Sequence, residues 1–210
     1  MPRPRSLDHG TISAAGLAVV DRDGLAALSM RAVAVELGVG TMTLYRYVTG
    51  REEIERLIAD RVFRDTNIPT ARQAGWQRQV RELSEAMRSA ISAHIAVIPL
   101  LLVHFPSSPD AWRWLEELLR ALTKAGFSAR ERVIAVRAIQ AYLIGSVQSE
   151  YLNSLTGDST MALASMPAEE YPLIVETARM ALSGEPDDQF AEGLTVVLKG
   201  LDLRRGARTK

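Results

Sequence analysis

The chain of 210 residues has no cysteine, which excludes a disulfide framework, a thiolate metal site and a cysteine nucleophile and fits a reducing cytoplasm. It has no excess of charge either. The 25 Lys and Arg side chains balance 25 Asp and Glu, so no global field draws the chain toward nucleic acid or anionic lipid, and any DNA binding must come from a local patch. No apolar run is long enough to span a bilayer: the longest, Ile95 to Val103, contains Pro99. The start "MPRPRSLDHG" has two arginines but no signal-peptide core behind them. A soluble, cytoplasmic protein is expected. Enzyme motifs are missing as well. There is no HExxH, GxSxG or P-loop, and "GVGTMT" at 38–43 lacks the third glycine and the preceding strand of a dinucleotide site. His104 with Asp110 or Glu150 could be drawn as acid and base, but such pairs arise by chance in a chain this rich in acids. No enzyme activity and no cofactor are expected.

What is present is apolar spacing of three and four almost throughout, with no stretch that alternates long enough to argue a strand. The expected fold is all-α. Asp8 can cap a first helix, with Leu7 and Ile12 as a hydrophobic staple, ending near Gly24. Ser29 caps a second that ends at Gly38. A third covers Thr41 to Val48, and Thr49 with Glu52 forms a capping-box pattern for a fourth, whose buried stripe is Ile54, Leu57, Ile58 and Val62. The segment "NIPTARQAG" at 67–75 breaks the pattern and divides a small domain, 1–66, from a larger one, 67–210. In the larger domain, helices are expected over Trp76 to His94, Ala111 to Ala125, Ser128 to Leu155, Pro167 to Leu182 and Asp187 to Arg204. Pro99 kinks or divides the apolar segment after His94, and "TGDSTMALASM" reads as a loop.

In the small domain Val33, Ala34, Leu37, Val39, Leu44 and Val48 fall on the inner faces of two short helices. Ala34 is small where they cross, and Gly38 stands where a tight turn needs positive φ. That is a helix-turn-helix pattern. Thr41, Met42, Thr43, Tyr45, Arg46 and Tyr47 are left outside, on a helix short enough for a major groove. Their hydroxyls can meet phosphates or bases, methyl groups can meet thymine, and Arg46 can fork onto guanine. Arg31 and Arg51 flank this surface, and Arg3 and Arg5 can act as a flexible arm. The competing structural reading makes the tyrosines core aromatics and the arginines solvated surface. A third possibility is a helix-turn-helix that binds protein.

The stretch "ALSMRAVAVELGVGTMTLYRYVTGREEI", within residues 8–65, resembles the amino-terminal domain of TetR-type transcriptional regulators. The remainder, at "LLRALTKAGFS", "AYLIGSV" and "EEYPLIVETA" through "DDQFAEGLTVVLKGL", resembles the ligand-binding domain of the tetracycline repressor subgroup. The resemblance implies a homodimeric, ligand-responsive repressor on a palindromic double-stranded DNA operator, with a small-molecule effector in the larger domain that shifts the fourth helix. By position it places Met30 and Arg31 of the second helix and Thr41, Met42, Thr43, Tyr45, Arg46 and Tyr47 of the third on DNA, with Arg51 on phosphate.

The resemblance also locates an effector cavity, near Leu83, Met87, His104, Phe105, Trp112 and Trp114. Each of these apolar residues taken alone is as readily core, but together they suit an apolar or aromatic effector. In the subgroup a histidine holds a magnesium-bound drug, and His104 lies near that place. Leu83 and Met87 replace polar grips, however, so tetracycline recognition is not implied. His94 and His104 without a third ligand at suitable spacing do not make a metal site. For the dimer, the helices around Gly145 and Ser146 and around Gly193, Val197 and Gly200 are expected to form a four-helix seam, although by sequence alone they could equally face the core.

Overall fold

The computed structural model describes residues 7–69, 75–155, 158–184 and 186–206, so Arg3 and Arg5 lie outside the described residues. All regular structure among these residues is helical: α1 (His9–Asp23), α2 (Met30–Glu36), α3 (Thr41–Leu44), α4 (Arg51–Asp65), α5 (Trp76–Ser92), α6 (Ile98–His104), α7 (Pro109–Lys124), α8 (Ala129–Leu155), α9 (Asp158–Ala164), α10 (Pro172–Ser183) and α11 (Pro186–Gly206). The all-α expectation holds.

Local chemistry accounts for most of the boundaries. Asp8 caps α1 by accepting from the Thr11 amide at 2.7 Å and its hydroxyl at 2.8 Å, and α1 stops at Gly24 with φ of 82°. Ser29 caps α2 through the Ala32 amide at 3.1 Å. Ser128 and Glu131 form a reciprocal capping box at α8: the Ser128 amide donates to Glu131 Oε2 at 2.8 Å, and the Glu131 amide to Ser128 Oγ at 3.4 Å. Pro99 divides rather than kinks. It stands in the first turn of α6, where a missing N–H costs nothing, after a 3₁₀ turn over Ile95–Val97.

Three expectations are corrected. Thr49 binds Glu53 rather than Glu52, its amide and hydroxyl donating to Oε2 at 2.7 and 2.9 Å; Gly50 is the cap residue of α4, so Thr49 precedes the cap and its contact moves on by one. The stretch "TGDSTMALASM" is not all loop, because α9 forms within it and packs on α8 and α10. The third helix is shorter than Thr41 to Val48: after Leu44 the bonding tightens, with Arg46 N–H to Thr43 O and Tyr47 N–H to Leu44 O.

Packing separates the chain into two units, the described residues within 1–74 and 82–120, and those within 75–81 and 121–210. These units do not coincide with the division at 66/67, because α4 packs on α6 and α1 packs on the turn at Ile95–Val97. In the first unit α1 crosses α4 at Gly16, where Ile54 and Ile58 lie fully buried. Burying such a side chain stabilises by about 1.5 to 3 kcal/mol. In the second unit Ala135, Ile139, Leu143 and Val147 make a buried stripe on α8, and Phe190, Leu194, Leu198 and Leu201 make one on α11. Tyr142 of α8 lies over Gly193 of α11 and donates to Phe190 O at 2.8 Å. Arg81 of α5 donates to Ala191 O and Thr195 Oγ1 at 3.0 and 2.8 Å. No single helix among the described residues is long and apolar enough to cross a membrane.

Candidate nucleic-acid interface and effector site

The turn between α2 and α3 is built from backbone bonds. Gly38 N–H reaches Val35 O and Val39 N–H reaches Ala34 O, both at 3.0 Å, with Gly38 at φ of 67°. This pair of bonds closes a Schellman motif, and a Cβ at Gly38 would meet nothing within 4 Å, so the glycine serves the backbone angle and not the packing. Val33, Ala34, Leu44 and Val48 are buried beneath the turn, while Leu37 and Val39 are half-buried.

Leu44 and Val48, four residues apart, point inward and thereby send the intervening side chains out. Met42 is 78% exposed, Tyr45 48% and Tyr47 40%, so the tyrosines are not core aromatics. Thr43, Arg46 and Arg31 are exposed as well, and Thr41 is half-buried. No acidic side chain occurs between Leu37 and Arg51, which makes this face locally basic in a chain of zero net charge. His9 of α1 steadies it through a contact of its Nε2 with Tyr47 O at 3.1 Å.

Met30 is a correction. Its side chain is buried, with 9% exposure, in the first turn of α2, while Arg31 next to it stands on the outer face. Arg51 opens α4. Its Nε donates to Glu55 Oε1 at 2.7 Å and its Nη2 to Leu25 O at 3.4 Å. Glu55 was not among the expected residues, although its spacing of four from Arg51 is a recognisable ion-pair signal.

The residues expected around an effector are only partly brought together. Leu83, Met87, His104 and Trp114 are buried and Phe105 is half-buried. Three of them meet α4 or its cap: Met87 Sδ lies 3.9 Å from the Thr66 hydroxyl, Phe105 meets Phe63 edge-on with centroids 5.7 Å apart, and His104 Nε2 is 3.9 Å from Glu55 Oε2. Trp114 donates its indole N–H to Leu83 O at 3.0 Å. Trp112 does not join them. It is half exposed, donates to Pro106 O at 3.2 Å, and lines a shallow groove of about 590 Å³ with Ile68, Pro109 and Arg113. The two tryptophans are two residues apart on one helix, which puts them on different faces. A second groove of about 600 Å³ runs between α4 and α5 past Val62, Asp65, Glu85, Ser89 and His94 and contains none of the six expected residues.

The histidines go to different partners. His94 Nδ1 is 2.8 Å from Asp21 Oδ2 of α1, and His104 faces Glu55 of α4. Among the described residues no group of three or more metal-ligating side chains converges.

Known proteins share this arrangement. Residues 68–205 match the family model for the tetracyclin repressor-like C-terminal domain. The HTH-type transcriptional repressor DrrR1 of Streptomyces coeruleorubidus is 30% identical over 98% of this chain and 82% of its own. The crystal structure of the Streptomyces coelicolor TetR family protein ActR in complex with (S)-DNPA has a TM-score of 0.78 at 26% identity and covers 95% of this chain and 98% of that one. The crystal structure of BioQ with its double-stranded DNA operator, at 25% identity, has a TM-score of 0.65 and covers 93% and 98%.

Proposed function

The chain belongs to the tetracycline repressor (TetR) family of transcriptional regulators, which are not enzymes, and on that premise we propose that it is a homodimeric repressor released from a palindromic operator by a small apolar or aromatic effector. The observation that carries the reading is the outward set Met42, Thr43, Tyr45, Arg46 and Tyr47 above buried Leu44 and Val48. An exposed methionine and two exposed tyrosines beside arginine, with no acidic residue between Leu37 and Arg51, suit a groove with base edges and phosphates better than water. Arg31 and Arg51 supply backbone contacts, and Thr41 stands at the amino end of the reading helix. BioQ, crystallised with an operator duplex, supports the DNA assignment.

Residues 1–66 act as the reading head and 67–210 hold the effector and the dimer contact. Leu83, Met87, His104, Phe105 and Trp114 bound the effector site, and three of these meet the helix that Arg51 opens. An effector that spreads them moves α4. ActR, crystallised with (S)-DNPA, supports a small-molecule site. The dimer uses apolar surface left outside the second unit: Val196 and Leu203 of α11 are 70% and 76% exposed, and Gly145 and Gly200 have open space beside them.

Selection of bound sequences from a random duplex pool tests the reading. A palindrome is expected; recovery of no sequence preference overturns it. Hydrophobic aromatic compounds that raise the melting temperature are then added to the preformed complex, and saturating binders that leave DNA occupancy unchanged overturn the effector part alone.

A further inference from the structure

Glu55 stands between the arginine at the amino end of α4 and a buried histidine at the carboxyl end of α6. One carboxylate oxygen accepts from Arg51 Nε at 2.7 Å, and the other faces His104 Nε2 at 3.9 Å. His104 is 6% exposed, and its Nε2 has no hydrogen-bond partner among the described residues. The rest of α6, "IPLLLV", has no charge. A buried ring nitrogen without a partner is costly, and closure by about 1 Å would bring it within hydrogen-bonding reach of the carboxylate.

We propose that Glu55 is the positioning residue for Arg51 and that His104 competes with Arg51 for it, so that the buried end of α6 sets how firmly the DNA-facing guanidinium is held. Glu55 and the Leu25 carbonyl engage Nε and Nη2 of Arg51, which leaves Nη1 for a phosphate at the amino end of a helix, where an anion is favoured. A carboxylate drawn toward His104 weakens its bond to Nε, and Arg51 then loses rotamer entropy each time it meets DNA. This rests on the proposed reading of Arg51 as a phosphate contact and adds the means by which a change at α6 reaches it.

The test is a thermodynamic cycle on the full-length protein with its selected operator, read as operator affinity at fixed salt together with the salt slope, because a phosphate contact acts on all duplexes alike. Glu55→Gln keeps the shape but weakens the grip, and the affinity is expected to fall roughly three- to tenfold with no further fall on adding Arg51→Ala, as for residues acting as one unit. His104→Leu removes the competitor and is expected to raise the affinity about threefold in the wild-type background and to change nothing when Glu55 is Gln or Arg51 is Ala. Should His104→Leu not fold, as read by circular dichroism, His104→Phe replaces it in the same cycle. A rise in affinity on Glu55→Gln overturns the positioning role, because Glu55 would then merely neutralise Arg51. A histidine effect that persists without Glu55 overturns the competition. Wild-type protein without any duplex preference overturns both this inference and the reading beneath it; additive effects with a clear palindrome overturn the inference alone.

Discussion

Gly16 of α1 lies so close to Ile58 of α4 that a Cβ on the glycine would come within 2.9 Å of Ile58 Cδ1 and 3.0 Å of Ile54 Cγ2. This approach brings the two principal helices of the first unit together. The two substitutions that probe it should differ. Gly16→Ala gains about 1 kcal/mol of helix propensity, and the flexible end of Ile58 can yield, so near-compensation is expected. Gly16→Val adds three carbons, a Cβ and two methyl groups, to a filled interface and is expected to destabilise by about 1 to 3 kcal/mol in urea unfolding. A valine variant as stable as wild type would mean that the helices are free to separate.

The outward position of the third helix separates function from folding. Tyr45→Ala and Thr43→Ala should leave the melting temperature in place and weaken operator binding by about 1 to 3 kcal/mol where a base contact is lost. Met30→Ala should do the reverse of what an exposed contact would do, lowering stability by about 2 to 5 kcal/mol through a cavity. Titration of a labelled operator, paired with thermal melts, distinguishes the two patterns.

Acid should loosen the head through its caps. Bonds from the Thr11 amide and hydroxyl hold the Asp8 carboxyl below the usual carboxylate range, and those from Thr49 do the same for Glu53. A carboxyl whose folded pKa is depressed contributes stability that is complete above its unfolded value and is lost as pH falls through its folded value. Melting temperature should therefore decline below about pH 4, and more gently in Asp8→Asn or Glu53→Gln, whose stability at neutral pH starts lower. Identical acid profiles for wild type and both variants would remove the caps as the cause.

Gly193 is expected in a dimer seam, although by sequence alone it could equally face the core, and a Cβ there would overlap the Tyr142 hydroxyl of the same chain. Gly193→Ala should consequently unseat Tyr142 from Phe190 O and lower stability by about 1 to 3 kcal/mol. Gly200→Leu, with open space beside it, should spare the protomer and weaken association, as measured by sedimentation equilibrium. Unchanged sedimentation in the Gly200 variant would move the dimer contact elsewhere.

Sequence by itself determined what is decided within a few residues. Asp8, Ser29 and Ser128 cap the helices they precede, and Gly38 takes the positive φ of the turn, since a cap or a tight turn is closed by neighbours along the chain. The outward face of the third helix was legible too, because Leu44 and Val48 are four apart and leave Tyr45 to Tyr47 outside. The break at 67–75 is a local signal too, but packing divides the described residues along a different line because α6 packs on α4. Only tertiary structure decided that Met30 turns inward, that α9 forms against α8 and α10, that Gly193 receives Tyr142, and that His104 faces Glu55. In each of these the deciding atom lies on another helix, and helical periodicity tells which face a residue occupies without telling what will cover it.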